Sequence, residues 1–229
     1  MIISRRLKLI SDLVKDVDSV VDVGTDHGYV VIDLLKEGRV KKAIASDINK
    51  GPVERARKNV ADHNLSDEIE CRLGGGLTTV KPGEVQAAVI AGMGGNLIRD
   101  ILLESEEVFK QLNYVIVQPV QNPEVLREYV YKLGWNLEDE WIIFDEDKYY
   151  EIFKVSYGTN PKTVEPIYNE VSEILLKKKD SVYKEYLMHK VAKYSRIYEG
   201  LKEDTENAKA RKNELKVKLE ALEGFLKEF

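Results

Sequence analysis

Five short β-branched runs alternate with segments of helical length over the first 132 residues, an order that few architectures accommodate. The runs are "SVVDVG" (19–24), "KAIASDI" (42–48), "IECRLG" (69–74), "AAVIAGM" (87–93) and "YVIVQP" (114–119), bounded by Gly, Pro or Asp. Several are apolar throughout, as strands covered on both faces must be. Residues 26–37, 51–63, 96–112 and 123–132 separate or follow them at lengths suited to helices. This alternation predicts an α/β fold with a parallel, doubly wound sheet and right-handed crossovers. "LEDEWIIFDEDKYYEIFKVSYG" then holds two strands about an acidic turn, so the sheet is expected to finish with an antiparallel hairpin.

Beyond Pro161 the pattern turns helical. Leu187, Val191, Tyr194, Tyr198, Leu201, Thr205 and Ala208, then Leu215, Leu219, Leu222 and Leu226, recur three and four residues apart, which is a coiled-coil seam. Helix-breaking signals at 200–205 favour two antiparallel helices over one rod. The expected division is a domain over 1–160 and a helical hairpin over 161–229.

At 229 residues and 43% hydrophobic content the chain can bury a full core. No apolar run approaches the roughly 20 residues of a membrane helix, and the charges in "MIISRRLKLISDLV" argue against a signal peptide. The single cysteine, Cys71, fits a reducing cytoplasm. A net charge of -5 argues against wholesale nucleic-acid binding, yet its distribution is uneven. Residues 1–160 carry 20 Lys and Arg against 27 Asp and Glu, whereas residues 161–229 carry 15 against 13. Basic clusters stand at Arg5, Arg6 and Lys8, at Lys41 and Lys42, and at Lys177, Lys178 and Lys179. Each is either a solvated face or a phosphate contact.

Ligands of open α/β sheets bind outside the carboxyl ends of the strands, where "DVGTDHGY" falls. Gly24 permits a tight turn there, and Gly28 a close approach at the next helix. The G-x-x-x-G spacing lacks the G-x-G-x-x-G of dinucleotide-binding domains, which disfavours an NAD-dependent dehydrogenase. Asp47 follows Gly24 by 23 residues. It is either a ribose-binding carboxylate or a cap for the helix after it. Three glycines in "AGMGG" (91–95) point to something close to the backbone, and Gln118 offers both a donor and an acceptor.

"DVGTDHGY", "ASDIN", "AGMGG" and "VQP", in this order and spacing, resemble the bacterial S-adenosylmethionine-dependent tRNA methyltransferases that modify N1 of the adenine at tRNA position 22. The resemblance covers essentially the whole chain. It implies a Rossmann-like class I methyltransferase domain with a seven-stranded, mostly parallel sheet, followed by an α-helical coiled-coil domain that contacts tRNA. It further implies that Gly24 and Asp47 hold the cofactor's methionine portion and ribose, while Asp26, His27 and Tyr29 line the cavity where cofactor and base meet. Gly92, Met93 and Gly94 stand where many amino-group methyltransferases have Asn/Asp-Pro-Pro-aromatic. The cofactor set implied by the matching motifs also takes in Asp22, Thr25, Asp26, Ile48, Asn49, Gly74, Gly75, Gly76, Ala91, Gly92, Met93, Gln118 and Pro119. The family commonly has Gly-Asp-Gly-Leu after strand three, whereas this chain reads "GGGL", with Gly75 in the acid's place. Val120 replaces a usually polar residue.

Tyr29 is the candidate for stacking on a flipped base, with ordinary packing as its alternative. For His27 the alternative is a structural hydrogen bond. Asp26 either caps the following helix or sits near the sulfonium or the adenine amino group. Phosphates are expected at Arg5, Arg6, Lys8, Lys177 and Lys178. The expectation is a cytoplasmic monomer or weak homodimer with no metal and no membrane contact. A catalytically lapsed nucleoside-binding scaffold with a partner-recruiting coiled coil is the alternative, motivated by Gly75.

Overall fold

The computed structural model describes residues 3–202 and 205–229, in two compact units, Met1–Val164 and Glu165–Phe229. The first opens with α1 (Arg5–Leu13), whose N-cap Ser4 accepts from the Leu7 amide. Then β1 (Ser19–Val23), α2 (Tyr29–Lys36), β2 (Lys42–Asp47), α3 (Lys50–Asp62) and β3 (Ile69–Leu73) follow. A 3-10 turn at Gly76–Thr79 leads into β4 (Ala87–Gly94), α4 (Gly95–Glu104), α5 (Glu106–Phe109), β5 (Tyr114–Gln121) and α6 (Pro123–Leu133). β6 (Asn136–Asp145) and β7 (Lys148–Ser156) complete a seven-stranded sheet in the order β3-β2-β1-β4-β5-β7-β6.

Strands β1 to β5 run parallel, and β7 is antiparallel to both β5 and β6. The hairpin turns at Glu146 and Asp147, both at positive φ, a geometry whose twist matches paired strands. Alternate residues feed the two faces. Val21, Val23, Ala88, Ile90, Val115 and Val117 pack with Ile98, Leu102, Phe109 and Leu126 on one side. Val20, Ala43, Ala45, Val89 and Ile116 meet Ile10, Val14, Val31 and Leu34 on the other. Arg127 is buried beside Glu140 and Glu151, donating from Nε and Nη2 to Glu140 Oε1 at 3.0 and 2.6 Å. Its guanidinium also pairs with Glu151 and lies over Phe153.

Two helical expectations change. The segment expected to be helical from Asp26 begins its helix at Tyr29, because Gly28 sits at φ +71 and the Thr25 hydroxyl accepts its amide at 3.0 Å. The expected helix over 96–112 breaks at Ser105, whose φ of -117 is outside helical values, giving α4 and α5.

In the second unit, α7 (Ile167–Glu170) and α8 (Glu173–Lys178) precede α9 (Ser181–Gly200) and α10 (Glu206–Leu226). Leu187, Leu215 and Leu222 of the seam are buried, whereas Thr205 is exposed and caps α10. Lys212 lies over Tyr198, and Glu170 joins Tyr194 to Lys218, so residue pairs run antiparallel. Positions 203 and 204, within the expected turn, lie outside the described residues. Among the described residues no helix is long and apolar enough to cross a membrane.

Candidate cofactor and base site

The carboxyl ends of β1, β2 and β4 surround a cavity of about 300 Å³ lined by Val23, Gly24, Asp47, Ile48, Gly74, Gly75, Gly76, Met93 and Leu97, with Ile101 and Ser105 at its α4 side. Gly24 turns at φ +77, and both its amide and that of Thr25 donate to the Ser46 carbonyl, at 2.8 and 2.9 Å. A Cβ on Gly24 would stand 2.2 Å from Met93 Cε, the movable end of a flexible side chain, so it is the positive φ that favours glycine here. Asp47 Oδ1 accepts the Asn49 amide at 2.7 Å. Asn49 is the N-cap residue of α3, and Asp47 beside it lines the cavity.

Asp22 is buried two residues before Gly24. Burial pushes its pKa up to about 6, against the lowering effect of a hydrogen bond with Thr25, and the Asp47 charge adds to the rise. Thr25 is buried too and holds the turn through Gly28. Neither lines the cavity wall.

Asp26, His27 and Tyr29 gather beside the cavity without lining it. Asp26 does not cap α2. It pairs with Arg55 and lies 3.2 Å from His27 Nε2. The His27 and Tyr29 rings stack 5.0 Å apart at 12°. Asn59 Nδ2 donates to the His27 carbonyl at 2.9 Å, so α3 grips this turn twice. Arg55 and Asn59 were not singled out from the sequence. Their four-residue spacing, which puts both on one helix face, was the available signal.

Gly92, at φ +78, forms a bulge in β4 opposite Gln118 and Pro119, between Ala91 and Met93. Gln118 corrects an expectation. It is fully buried, with its amide engaged by Arg6 and by the Pro119 carbonyl, and it does not line the cavity. Arg6 is likewise turned inward, onto Gln118 and Tyr150. Lys8 is bound by Asp12 and Asp33 at 3.0 Å and by Glu37, which raise its pKa, Glu37 most. Three carboxylates thus already hold the charge expected to meet phosphate. Asp12, Asp33 and Glu37 converge closely, and Lys8 and Arg39 neutralise them. Arg5, Lys177 and Lys178 are exposed.

A larger cleft, about 770 Å³, is lined by Ser19, Lys42 and Ile69, the first residues of β1, β2 and β3. It lies at the opposite end of the strands from the glycine turns, and in this architecture that end does not carry the chemistry.

The family model described as tRNA (adenine(22)-N(1))-methyltransferase matches residues 20–224. The chain belongs to that family. A family member, the tRNA (adenine(22)-N(1))-methyltransferase of Bacillus subtilis strain 168, is 30% identical over 226 residues, covering 96% of this chain and 95% of its own. A crystal structure of the B. subtilis tRNA methyltransferase superposes with a TM-score of 0.87 at 29% identity, over 98% of this chain and 99% of that one. A Streptococcus pneumoniae protein, solved in complex with S-adenosyl-L-methionine, gives 0.86 at 29% identity over 98% and 100%. As a family member this chain is a tRNA methyltransferase for N1 of adenine 22.

Proposed function

We propose that the cavity beside Gly24 cradles S-adenosylmethionine, and that Asp26, His27 and Tyr29 face the adenine of tRNA that is methylated at N1. The observation that carries this reading is the Gly24 turn, bare of any Cβ, sharing one cavity with the Asp47 carboxylate. Asp47 Oδ1 is taken by Asn49, which leaves Oδ2 to accept from a ribose hydroxyl. Ile48, 71% exposed, covers the adenine portion of the cofactor from Gly75's side. The cofactor complex of the S. pneumoniae protein supports the identity of the cofactor.

When bound, S-adenosylmethionine would supply a sulfonium-activated methyl group to the lone pair of adenine N1, the S–CH3 bond breaking with its electrons left on sulfur as a neutral thioether. N1 owns that lone pair in the ring plane, so no residue must strip a proton first and no metal is needed to activate it. The protein's contribution is position and exclusion of water, effects that can supply roughly 7 to 11 kcal/mol when geometry is well held. The stacked His27 and Tyr29 rings offer an aromatic face to an unstacked base, recovering part of the few kcal/mol that unstacking requires. Positive charge moves onto the adenine ring during transfer, and the Asp26 carboxylate favours it there. Arg5, Lys177 and Lys178 meet phosphates. We place the enzyme in the cytoplasm as a monomer or weak homodimer.

The lapsed-scaffold alternative gains no support, since Gly75 keeps an ordinary extended φ of -89 within an intact cavity wall. The deciding experiment is transfer of labelled methyl from the cofactor to unmodified tRNA. A tRNA with adenine 22 replaced should accept nothing, and undiminished transfer to it would sink the site assignment.

A further inference from the structure

Arg6 is anchored at three points within the first unit. Its backbone N–H donates to Asp145 Oδ2 at 3.0 Å, and its Nη1 donates to Gln118 Oε1 at 2.5 Å. Its guanidinium carbon lies 5.1 Å from the centroid of the Tyr150 ring. Gln118 is fully buried, and its Nε2 donates to the Pro119 carbonyl at 2.8 Å. A guanidinium only donates and a carbonyl only accepts, so these two partners permit a single orientation of the amide.

What the amide holds is the strand edge facing the β4 bulge. Ala91 pairs with Gln118 and Met93 with Pro119, on either side of Gly92. A bulge leaves a residue unpaired and the ladder locally broken, and Pro119 has no N–H to restore it. The bulge therefore takes its position from the neighbouring strand, which the Arg6–Gln118 contact fixes. Met93, on the bulge, reaches the Gly24 turn.

We propose that Arg6 is a positioning residue for methyl transfer. Acting through Gln118, it locks the Pro119 edge of β5 against the Met93 bulge and so sets the slot in which adenine N1 meets the methyl group. This inference rests on the function proposed above. A phosphate contact needs only an exposed cation, for which lysine serves as a point charge. Arg6 instead lies against an aromatic ring with its planar fork turned inward, a role lysine does not reproduce.

The test uses the full chain as wild type, Arg6→Ala, Arg6→Lys and Gln118→Glu. Gln118→Glu keeps an acceptor for Arg6 but removes the donor to Pro119, opening the latch at its far end. Steady-state methylation of tRNA is combined with calorimetric binding of S-adenosylmethionine, and thermal melts establish that each variant is folded. All three variants should lose about 10-fold to 100-fold in kcat, with KM for tRNA and cofactor Kd changed by less than about threefold. Arg6→Lys with wild-type kcat, or losses confined to KM for tRNA, would overturn the latch in favour of a phosphate contact. Full kcat in Gln118→Glu would overturn it as well. An active wild type with active variants refutes the latch alone. A wild type that binds cofactor yet methylates no tRNA refutes the function and the latch together.

Discussion

The methyl end of Met93 lies so close to Gly24 that a Cβ on the glycine would stand 2.2 Å from it. Gly24 also sits at φ +77, a conformation that costs L-residues roughly 1–2 kcal/mol. Gly24→Ala should therefore push Met93 aside and weaken cofactor binding and methyl transfer, while leaving the fold, read by circular dichroism, in place. Gly24→Ala,Met93→Ala relieves the clash but not the backbone strain, so its cofactor binding should recover only in part.

Gly75 occupies the position where the family commonly has an aspartate, and nothing steric forbids one. Its φ is -89, and an added Cβ meets only Ile48 Cδ1, at an ordinary 3.5 Å. Gly75→Asp should tighten cofactor binding by about 1.5–3 kcal/mol, the worth of a charge-assisted hydrogen bond, or roughly tenfold to a hundredfold. Calorimetry decides it, and an unchanged Kd would show that a backbone group already serves the adenine.

Asp22 should make the fold sensitive to pH. Its pKa rises from 3.8 to about 6 on folding, chiefly through burial. The folded chain then binds the proton more tightly than the unfolded one, so this contribution is complete below about pH 4 and is lost as pH rises through about 6. The loss amounts to about 3 kcal/mol at most. Denaturant melts between these limits should show it, and Asp22→Asn should flatten the profile. A variant with the wild-type slope would assign the titration elsewhere.

Asp26 and Arg55 form one ion pair beside the stacked rings, so they should fail as a unit. Arg55→Ala should lower kcat as Asp26→Ala does, by about tenfold or more, and the double variant should be hardly worse than either. Both side chains are about half exposed or more, so little change in stability is expected. Additive losses would mean that Arg55 acts independently of Asp26.

The sheet was legible because its signals are local. Runs such as "SVVDVG" and "AAVIAGM" carry their own burial pattern, and a glycine at a strand end announces its turn without reference to the rest of the chain. Long polar side chains carry no such signal. Arg6 and Lys8 look alike in "SRRLKL", yet one reaches Gln118, 112 positions away, while the other is held by Asp12, Asp33 and Glu37. Gln118 read as a ligand contact because its donor and acceptor are visible in sequence, whereas its burial is a property of the packed sheet. The break at Ser105 was hidden for a similar reason, since apolar spacing continues across it into α5.

The pairing of Arg6 with Asp145 joins the first helix of the catalytic unit to the end of β6, 139 positions later. On a ribosome adding about 5–20 residues per second, those positions take roughly 7 to 30 seconds to appear. Gln118 and Tyr150 are late arrivals too. A nascent chain can close the Gly24 turn early, but its slot for the base stays open until synthesis of the unit is almost finished. If Arg6 sets that slot as proposed, an unfinished polypeptide is kept from modifying tRNA by the order in which its parts are made.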